Sequence, residues 1–508
     1  MQHEASEFRV DAPVIIVGGG PVGLSLSLGL AARKVASIVL ERNAEPVQES
    51  RALVIWPRTQ EIFRDWNAYE ALREASSFVT DFTAVNAKTE RRMIALDFRL
   101  LSDVVDDPGI FVIPQNVTER VLRELVCANP YCDLQTGVEV TSLAQEAQSA
   151  LVHFERGEAR ESLRASYVVG CDGAHGLVRH AIGMSLEGIT YDSRIVLSDE
   201  TIEEPLAENS TARIRLDQPG IRLAIRFAEK TWRVIASIEK GQSDEDALLP
   251  GAHRERLRTL FGNVFTTTLW SSLFKIHRRH AQRFIIGRVA LAGDAAHLNS
   301  PAGGQGMNAG IQDAANLAWK IAYALGGRGN GAALFESYDV ERREMVTDTI
   351  ERFTDRLTRV GIGFTPRAKQ FVVRAASRVM QGAGMQRKLC RSIGMLGGRY
   401  TRSPLVDTRH PLAGRRIDDL VLSDGSRINH RRRGEAALVV AGEFALALPH
   451  IHVPLPPKRW HVKPPVVLIV RPDGCVAAVI EKPSIERIES AWNKAFCNAF
   501  PLADLAAT

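Results

Sequence analysis

The sequence predicts a multidomain α/β protein in which a Rossmann-like domain is combined with a mostly antiparallel β domain, and three observations lead to this prediction. The chain has 508 residues, which is too long for one hydrophobic core. Its N-terminal part contains a strand-type apolar run, a glycine-rich turn and a helix-compatible segment in succession. Between 211 and 238, short segments alternate apolar and polar residues, as antiparallel strands do.

The glycine-rich turn carries the first functional signal. The β-branched run 14–17 leads into Gly18-Gly19-Gly20-Pro21-Val22-Gly23 and then into a helix-compatible segment, which is the G-x-G-x-x-G pattern in its required context. Gly18 permits the turn, Gly20 lets the backbone approach a pyrophosphate, and Gly23 lets helix and strand pack closely. The helix start also offers N–H groups to phosphates. We therefore predict dinucleotide binding at Gly18, Gly20, Pro21, Val22 and Gly23.

A second predicted strand, 37–40, ends in the acidic residue Glu41. Glu41 lies 18 residues beyond Gly23, near the distance at which an acid of this fold binds an adenosine ribose. An acid favours a ribose with free hydroxyls over one that carries a phosphate. Glu41 and the adjacent Arg42 are therefore candidate cofactor-binding residues, and up to this point the sequence is compatible with either FAD or NAD.

Two further motifs favour FAD. Residues 167–174 form a predicted strand that ends in Asp172-Gly173, and residues 287–297 form a predicted strand that ends in Gly293-Asp294. In order and spacing, the three blocks resemble the FAD-dependent aromatic hydroxylases, the flavoprotein monooxygenases that include para-hydroxybenzoate hydroxylase and phenol hydroxylase. The likeness covers most of the chain.

Shorter blocks extend the resemblance. Arg51-Ala52 is similar to the family's segment beside the flavin, and Gln115 begins its Q-x-x-x-E-x-x-L helix. In the family, the helix start at Gly306 faces the flavin pyrimidine ring, where the helix dipole stabilises negative charge. Asp294 can accept hydrogen bonds from ribityl or ribose hydroxyls, although taken alone it could equally cap the following helix. The resemblance assigns cofactor contacts to Arg51, Gln115, Asp172, Gly173, Gly293, Asp294, Pro301, Gly304, Gly306, Met307 and Asn308.

The motifs predict a flavin domain assembled from separate stretches of the chain. We expect this Rossmann-like FAD-binding domain, of the glutathione-reductase type, to comprise 1–75, 107–185 and 281–350. Substrate-domain strands in 76–106 and an inserted, mostly antiparallel β-sheet in 186–280 are expected to roof the flavin and supply much of the substrate pocket. A helical segment, 351–407, and a C-terminal thioredoxin-like domain, 408–508, complete the predicted α/β architecture.

The two C-terminal parts carry weaker signals. Between Arg356 and Arg402 there are eleven basic residues and no acid, which fits a solvated face packed on its own domain better than a membrane-surface helix. Residues 471–477 resemble the hairpin that ends the thioredoxin-like domain of the larger hydroxylases. The six cysteines form no C-x-x-C pair, so this domain is expected to be redox-inert. Cys475 stands where those relatives commonly carry tyrosine.

The resemblance implies a catalytic cycle. NADPH or NADH, a transient reductant without its own Rossmann domain, reduces FAD; the reduced flavin captures O₂ as a C4a-hydroperoxide, which hydroxylates an aromatic small molecule. Analogy at the level of the fold suggests a polycyclic one. His175 and Gly176 replace the family's usual arginine and serine, which weakens the nicotinamide role of Asp172-Gly173. No catalytic residue can be assigned, and His297 is expected to be structural. Baeyer–Villiger oxidation, epoxidation, oxidative decarboxylation and an FAD-binding protein without monooxygenase turnover remain alternatives.

Composition and charge argue against several other classes of protein. The net charge of +5, from 64 basic and 59 acidic residues, gives no reason to expect a nucleic-acid partner. The scattered cysteines signal no metal site and suggest reduced thiols, as in a cytoplasmic protein. No apolar run reaches the roughly 20 residues needed to span a bilayer. We therefore expect a cytoplasmic monomer or homodimer that acts on a small molecule without membrane contact.

Overall fold

The computed structural model describes residues 10–46, 52–203, 211–218, 220–239, 241–301, 303–352, 355, 364–379 and 382–507. These residues form four β-sheets, whose strands are given below. The α-helices are α1 (Pro21–Ala31), α2 (Pro57–Asp65), α3 (Tyr69–Glu74), α4 (Gln115–Cys127), α5 (Leu177–Ala181), α6 (Asp244–Leu248), α7 (Pro250–Phe261), α8 (Gly306–Leu325), α9 (Gly331–Glu344), α10 (Pro366–Val379), α11 (Ala383–Ile393), α12 (Ile428–Arg432) and α13 (Ile485–Phe496).

The first sheet is the core of the Rossmann-like domain. Its strands are β1 (Ala12–Val17), β2 (Ser37–Glu41), β8 (Cys132–Thr136), β9 (Val138–Gln145), β10 (Ala150–Arg156), β11 (Ala159–Gly170), β17 (Ile285–Ile286) and β18 (Val289–Leu291). They follow the order β17-β18-β11-β1-β2-β8, with β10 beside β11 and β9 beside β10. Strand β1 is parallel to both β2 and β11. Its β-branched run is fully buried, as expected for a strand covered on both faces.

Helix α1 packs between this sheet and other helices of the domain. Its first turn begins with Pro21, which suits a helix start because the missing N–H would have no partner there. The helix is buried almost throughout. A Cβ atom on Gly29 would lie 2.7 Å from Trp66 and 3.1 Å from the Cβ of Ala318 in α8. Helices α1 and α8 are therefore in direct contact, which brings the glycine-rich turn close to the start of α8.

The second sheet contains the segments that the sequence predicts as antiparallel strands. Its strands are β5 (Asp81–Asn86), β6 (Arg92–Asp97), β12 (Leu186–Ile202), β13 (Ala212–Ile214), β14 (Arg222–Arg226), β15 (Thr231–Ser237), β16 (Thr266–Ala281) and β19 (His297–Leu298). They follow the order β19-β16-β12-β15-β14-β13-β5-β6. All the neighbouring pairs are antiparallel except β13 with β5.

The two faces of the second sheet have different coverings. On one face, Trp232 and Val234 form a cluster with residues of α7. On the other face, Ile225 and Phe227 pack against a cluster that contains Trp56 of the Rossmann-like domain. Because side chains alternate along a strand, the residues on this second face point toward the Rossmann-like domain.

A small third sheet joins β3 (Val54–Ile55), β7 (Ile110–Val112) and β4 (Ser77–Val79) in the order β3-β7-β4. Strand β4 lies within 76–106, where strands of the substrate domain are expected. It pairs with β7, whereas β5 and β6 join the second sheet. A three-residue strand carries too little alternation to show which sheet it will join.

The C-terminal sheet consists of β20 (Ala437–Ala441), β21 (Ile451–Val453), β22 (Val466–Val470) and β23 (Val476–Glu481) in the order β21-β20-β22-β23. Strand β20 is parallel to β21, and β22 is antiparallel to both β20 and β23, which is a thioredoxin-like arrangement. Helix α13 packs Trp492 and Phe496 against it. The apolar segment 436–447 forms a strand only up to Ala441, because the backbone turns at Gly442, where φ is +83°.

The basic segment between 356 and 402 is partly used in contacts within the protein. The Lys369 Nζ atom donates hydrogen bonds to the carbonyl oxygens of Gln218 (2.8 Å) and Gly220 (2.6 Å). Arg387 pairs with Asp103, Arg391 with Asp418 and Arg402 with Asp348. Among the helices that are described, none has the length and apolar character needed to cross a membrane.

Candidate active site

The glycine-rich turn has a tightly packed side and an open side. Gly18 has φ of +106°, and a Cβ there would lie 2.5 Å from the carbonyl oxygen of Cys171. A Cβ on Gly23 would lie 2.0 Å from the carbonyl oxygen of Gly18. A Cβ on Gly20, in contrast, would meet no described atom within 4 Å. Packing therefore requires glycine at 18 and 23, whereas the backbone at 20 faces open space, as a turn that receives a phosphate must.

Two helix starts meet beside this turn. Helix α1 begins after Gly20 and α8 after Gln305, and neither of these N-cap residues makes a side-chain capping hydrogen bond among the described residues. A Cβ on Gly310 of α8 would lie 2.5 Å from Cγ2 of Val22 and 3.0 Å from Cα of Gly293. The first turn of α1, the N-terminal part of α8 and the Gly293-Asp294 turn therefore lie against one another. Uncapped helix starts attract anions or the negative end of a ligand.

The Gly293-Asp294 turn packs against the glycine-rich turn. Gly293 has φ of +61°, and a Cβ there would lie 2.8 Å from Cγ2 of Val22. Asp294 is exposed and lies inside the short 3₁₀ helix Gly293–Ala295, whose N-cap residue is Ala292. The position of Asp294 is thus not that of a helix cap. Its side chain is exposed beside the open space at Gly20 and Gly306, which we call the cleft, and a carboxylate there can accept hydrogen bonds.

Glu41 and Asp172 both support the turns beside the cleft. The Glu41 carboxylate accepts hydrogen bonds from the backbone N–H groups of Gly19 (2.6 Å) and Asn43 (2.8 Å), and Arg42 is exposed beside it. Asp172 accepts a hydrogen bond from the backbone N–H of Val178 at the start of α5 (2.9 Å). Its other oxygen, Oδ1, is buried without a hydrogen-bond partner among the described residues. Burial raises the pKa of Asp172.

The start of α8 is fixed by Asn308. This side chain is fully buried; its Nδ2 donates to the carbonyl oxygens of Val54 (2.8 Å) and Gly304 (3.1 Å), and its Oδ1 accepts from the backbone N–H of Trp56 (2.9 Å). A Cβ on Gly306 would meet no described atom within 4 Å. The side chain of Asn308 therefore holds the helix start in place, while the backbone at Gly306 faces open space.

The remaining residues of the predicted site lie around this helix start or beside strand β3. Gly304 has φ of +61°, Pro301 is exposed, and Met307 packs at the edge of the main core. The backbone N–H of Gln115 donates to the carbonyl oxygen of Ala52 (3.0 Å), and the side-chain Oε1 of Gln115 accepts from the backbone N–H of Ala52 (3.1 Å). Gly173 has φ of +79°. Arg51 lies outside the described residues.

Two buried ionic groups have roles that the sequence did not indicate. Asp313 in α8 accepts a hydrogen bond from His297 Nε2 (2.7 Å) and another from Arg342 Nε (2.6 Å); His297 is thus enclosed and structural, as expected. In the second sheet, Arg233 forms two 2.8 Å hydrogen bonds with Asp199. The only available signal was a charge inside an otherwise apolar segment, and such a charge does not identify its distant partner.

The comparisons with known proteins agree with this geometry. The family model described as "FAD binding domain" matches residues 11–353. A rifampicin monooxygenase from Streptomyces venezuelae is 29% identical over 84% of this chain and 86% of its own length. An anhydrotetracycline hydroxylase from Streptomyces rimosus has a TM-score of 0.78 and 26% identity over 96% of this chain and 99% of its own. The Diels-Alderase of pyrroindomycin biosynthesis has a TM-score of 0.75 and 26% identity over 95% and 98%.

The chain therefore belongs to the FAD-binding domain family, and it is an FAD-dependent monooxygenase of the aromatic hydroxylase type. The predictions of family, fold class and FAD as cofactor are confirmed. Use of NADPH or NADH as reductant is typical of the family. The open backbone at Gly20 and Gly306 and the two uncapped helix starts fit this cofactor.

Proposed function

We propose that FAD lies where the glycine-rich turn, the Gly293-Asp294 turn and the start of α8 converge, and that the substrate is an uncharged, fused-ring aromatic compound bound between this cleft and the second sheet. We infer the substrate class from a row of aliphatic side chains on the face of the second sheet that points toward the Rossmann-like domain. The relatives support the same class, since one is named for rifampicin and another for anhydrotetracycline.

The aliphatic row crosses four neighbouring strands. Leu197 lies opposite Ile235, Ile235 opposite Leu223, and Leu223 opposite Ile214. Leu197 is buried, and the other three are half-buried. Strands lie about 4.8 Å apart, so the row is about 14 Å wide. An apolar surface of this width suits a fused-ring molecule better than a single charged benzoate.

The Arg233–Asp199 ion pair lies beside this row on the same face of the sheet. Arg233 lies two residues before Ile235 in β15, and Asp199 lies two residues after Leu197 in β12, so both are on the same face as the row. Their side chains are 2% and 9% exposed. Arg233 also donates from Nη1 to the carbonyl oxygen of Ala52 (3.1 Å). Because its charge is already matched, Arg233 is a connection between the substrate sheet and the Rossmann-like domain. It is not a free anchor for a carboxylate.

The chain's own residues would bind and orient the cofactor at several points. The start of α1, with Gly18 to Gly23, would bind the pyrophosphate. Glu41 would accept hydrogen bonds from the adenosine ribose, and Asp294 would accept them from the ribityl hydroxyls. The α8 start at Gly306, Met307 and Asn308 would face the pyrimidine ring and stabilise its negative charge. When bound, FAD supplies the transfer of electrons from the nicotinamide to O₂. The protein supplies orientation and the exclusion of water.

NADPH or NADH serves as the reductant, as is typical of the family. We infer that it binds transiently, because the chain has no second strand-turn-helix glycine motif. We place the enzyme in the cytoplasm, as a monomer or homodimer without membrane contact. The ion pairs of Arg387 and Arg391 within the protein support the absence of membrane contact, because the charges of these two residues are already matched.

A solved structure of similar fold is that of a Diels-Alderase, so FAD binding without monooxygenase turnover is the alternative that an assay of this monooxygenase must exclude. Baeyer–Villiger oxidation, epoxidation and oxidative decarboxylation would use the same cofactor site. Consumption of NADPH or NADH stimulated by a phenolic compound separates an oxidising enzyme from a binding protein. Mass spectrometry of the product then separates aromatic hydroxylation from the other oxidations.

The substrate surface is tested by two matched substitutions. Leu223→Asn places a polar group on the aliphatic row, whereas Leu269→Asn makes the same change at a residue that is 60% exposed. The holoenzyme is titrated with a panel of fused-ring phenols, and binding is followed by the change in flavin absorbance. We expect Leu223→Asn to weaken binding at least about tenfold, from the loss of apolar contact, and Leu269→Asn to leave it unchanged. Equal affinities for both variants would refute the proposed surface.

A further inference from the structure

We propose that Asp313, a residue of α8 that lies behind the cofactor cleft, is a positioning residue for FAD. In this inference its carboxylate fixes the Gly293-Asp294 turn and balances the charge of Arg342 close to the flavin. The inference rests on the proposed placement of FAD against that turn. It adds a residue that would act on the flavin through the protein and not by direct contact.

Asp313 is completely buried and accepts three hydrogen bonds from three different parts of the chain. The donors are the backbone N–H of Gly293 (3.0 Å), His297 Nε2 (2.7 Å) and Arg342 Nε (2.6 Å). Both carboxylate oxygens are used, Oδ2 by Gly293 and His297 and Oδ1 by Arg342. The bond to Gly293 is the one that matters for the cofactor, because Asp294 is the next residue.

Arg342 connects Asp313 with a residue nearer to the start of α8. Its Nη2 donates to the carbonyl oxygen of Ala309 (3.1 Å), and its Nη1 lies 3.4 Å from the Tyr400 hydroxyl. Asp313 and Ala309 are four residues apart in the same helix, so one guanidinium holds two successive turns of α8. The Asp313–Arg342 pair therefore connects the Gly293-Asp294 turn with the helix start that faces the cleft.

The packing around this pair leaves the turn little freedom. Gly310 approaches Gly293 so closely that an added Cβ would lie 3.0 Å from its Cα and 2.5 Å from Val22. A small shift of α8 would thus displace both cofactor-binding turns. Close-packed interiors transmit such shifts because they contain few voids. The hydrogen bond from Gly293 to Asp313 sets the position at which these segments meet.

The negative charge of Asp313 should also affect the redox potential of the flavin. Burial alone would raise the pKa of Asp313, but the adjacent His297 and Arg342 hold that pKa below its usual value, so the carboxylate is ionised at neutral pH. Asp313→Asn keeps the shape and removes the anion, which leaves the Arg342 cation unbalanced. An unbalanced cation near the flavin favours its reduced, negatively charged form. The midpoint potential of the variant is therefore expected to become more positive.

The test compares Asp313→Asn with Asp339→Asn. Asp339 is a suitable control because it is also buried, accepts a backbone hydrogen bond from Phe284 (2.6 Å) and pairs with Arg343 (3.1 Å). Its hydrogen-bond and ion-pair partners among the described residues all lie outside the proposed cofactor segments. FAD affinity is measured by fluorescence titration, the potential by redox titration of the holoenzyme, and folding by urea denaturation. We expect Asp313→Asn to weaken FAD binding at least about tenfold and raise the potential, and Asp339→Asn to change neither, even if both variants lose stability.

A second substitution keeps the test decisive if Asp313→Asn does not fold. His297→Leu removes one donor to Asp313 and leaves its carboxylate less compensated, so the potential should shift in the opposite, more negative direction. A negative shift in His297→Leu that is absent in Asp339→Asn supports the electrostatic role by itself, and a positive shift in Asp313→Asn adds to it where that variant folds. No shift in His297→Leu, or a shift equal to that of Asp339→Asn, overturns the role. Asp294→Ala, made in parallel, should abolish tight FAD binding. If it does not, the placement of FAD is wrong and the role of Asp313 is overturned with it.

Discussion

The two halves of helix α8 are built in opposite ways. The N-terminal end, at Gly306, has no side-chain cap and faces open space. The C-terminal half contains Lys320, a fully buried cation that lies 2.7 Å from Glu341. Glu341 in turn accepts two hydrogen bonds from Arg471 of the C-terminal domain, at 2.6 and 2.9 Å.

This difference indicates that the two ends of α8 have different roles, a division of labour in which the far half stabilises the fold and the near end binds FAD. Glu341 also accepts hydrogen bonds from Asn316 (2.7 Å) and Ser403 (2.6 Å), so its charge is fully surrounded by donors. The far half of α8 is thereby anchored to α9 and to the C-terminal domain. The backbone at Gly306 can remain open because Asn308 and the contacts of the far half hold the helix in place. We expect changes in the far half to affect stability and changes at the near end to affect FAD.

The largest effect is expected from Glu341→Gln. The substitution leaves Lys320 and Arg471 without their shared anion, and breaking a buried ion pair from one side costs about 3–5 kcal/mol. Urea denaturation of the holoenzyme measures the loss. Glu124→Gln, which removes an exposed pair with Arg120, should cost no more than about 0.5 kcal/mol. A loss below about 1 kcal/mol for Glu341→Gln would show that the cluster does not anchor the helix.

Gly306→Val tests the open end. A Cβ at this position would meet no described atom within 4 Å, so we expect the unfolding free energy of the apoprotein to change by less than about 1 kcal/mol. The added side chain would occupy the space proposed for the flavin, and FAD binding should weaken about 100-fold, which corresponds to roughly 2.7 kcal/mol. Fluorescence titration of the apoprotein measures the affinity. Unchanged affinity together with unchanged stability would contradict the division of labour.

Lys320 predicts a pH dependence of stability. Burial, which outweighs the attraction of Glu341, lowers the pKa of Lys320 from 10.5 to about 8. Between these values the unfolded chain binds more protons at this residue than the folded protein, so the Lys320 contribution to stability rises with pH, by at most about 1.4 kcal/mol per unit. Over this range the wild type should gain stability relative to Lys320→Met. A difference between the two proteins that stays constant from pH 8 to 10.5 would rule out the lowered pKa.

The smallest effect is expected from Cys475→Ala. This thiol is 4% exposed, and burial raises its pKa far above the usual value, so it should not react as a thiolate. The substitution should cost about 1 kcal/mol of stability and leave substrate-stimulated oxidation of NADPH or NADH unchanged. Loss of that activity in a folded, FAD-loaded variant would give the C-terminal domain a redox role.

The cofactor turn could be predicted from the sequence because its determinants are local. Gly18, Gly20 and Gly23 are separated by two and three positions, and each is explained by φ or by the space around it. The partners of Asp313 are 16, 20 and 29 residues away. Ala52, a partner of Arg233, is 181 positions away from it, and Arg471, a partner of Glu341, is 130 positions away. Pairings of this kind depend on tertiary packing, which a single sequence does not reveal.

The measurement that tests the central claim most directly follows the origin of the oxygen. The FAD-loaded enzyme is incubated with NADPH or NADH, a panel of fused-ring phenols and isotopically labelled O₂, and the products are analysed by mass spectrometry. A monooxygenase should place one labelled oxygen atom in an aromatic product for each nicotinamide oxidised. Oxidation of the nicotinamide with only H₂O₂ formed across the panel, or a product whose oxygen comes from water, would contradict it.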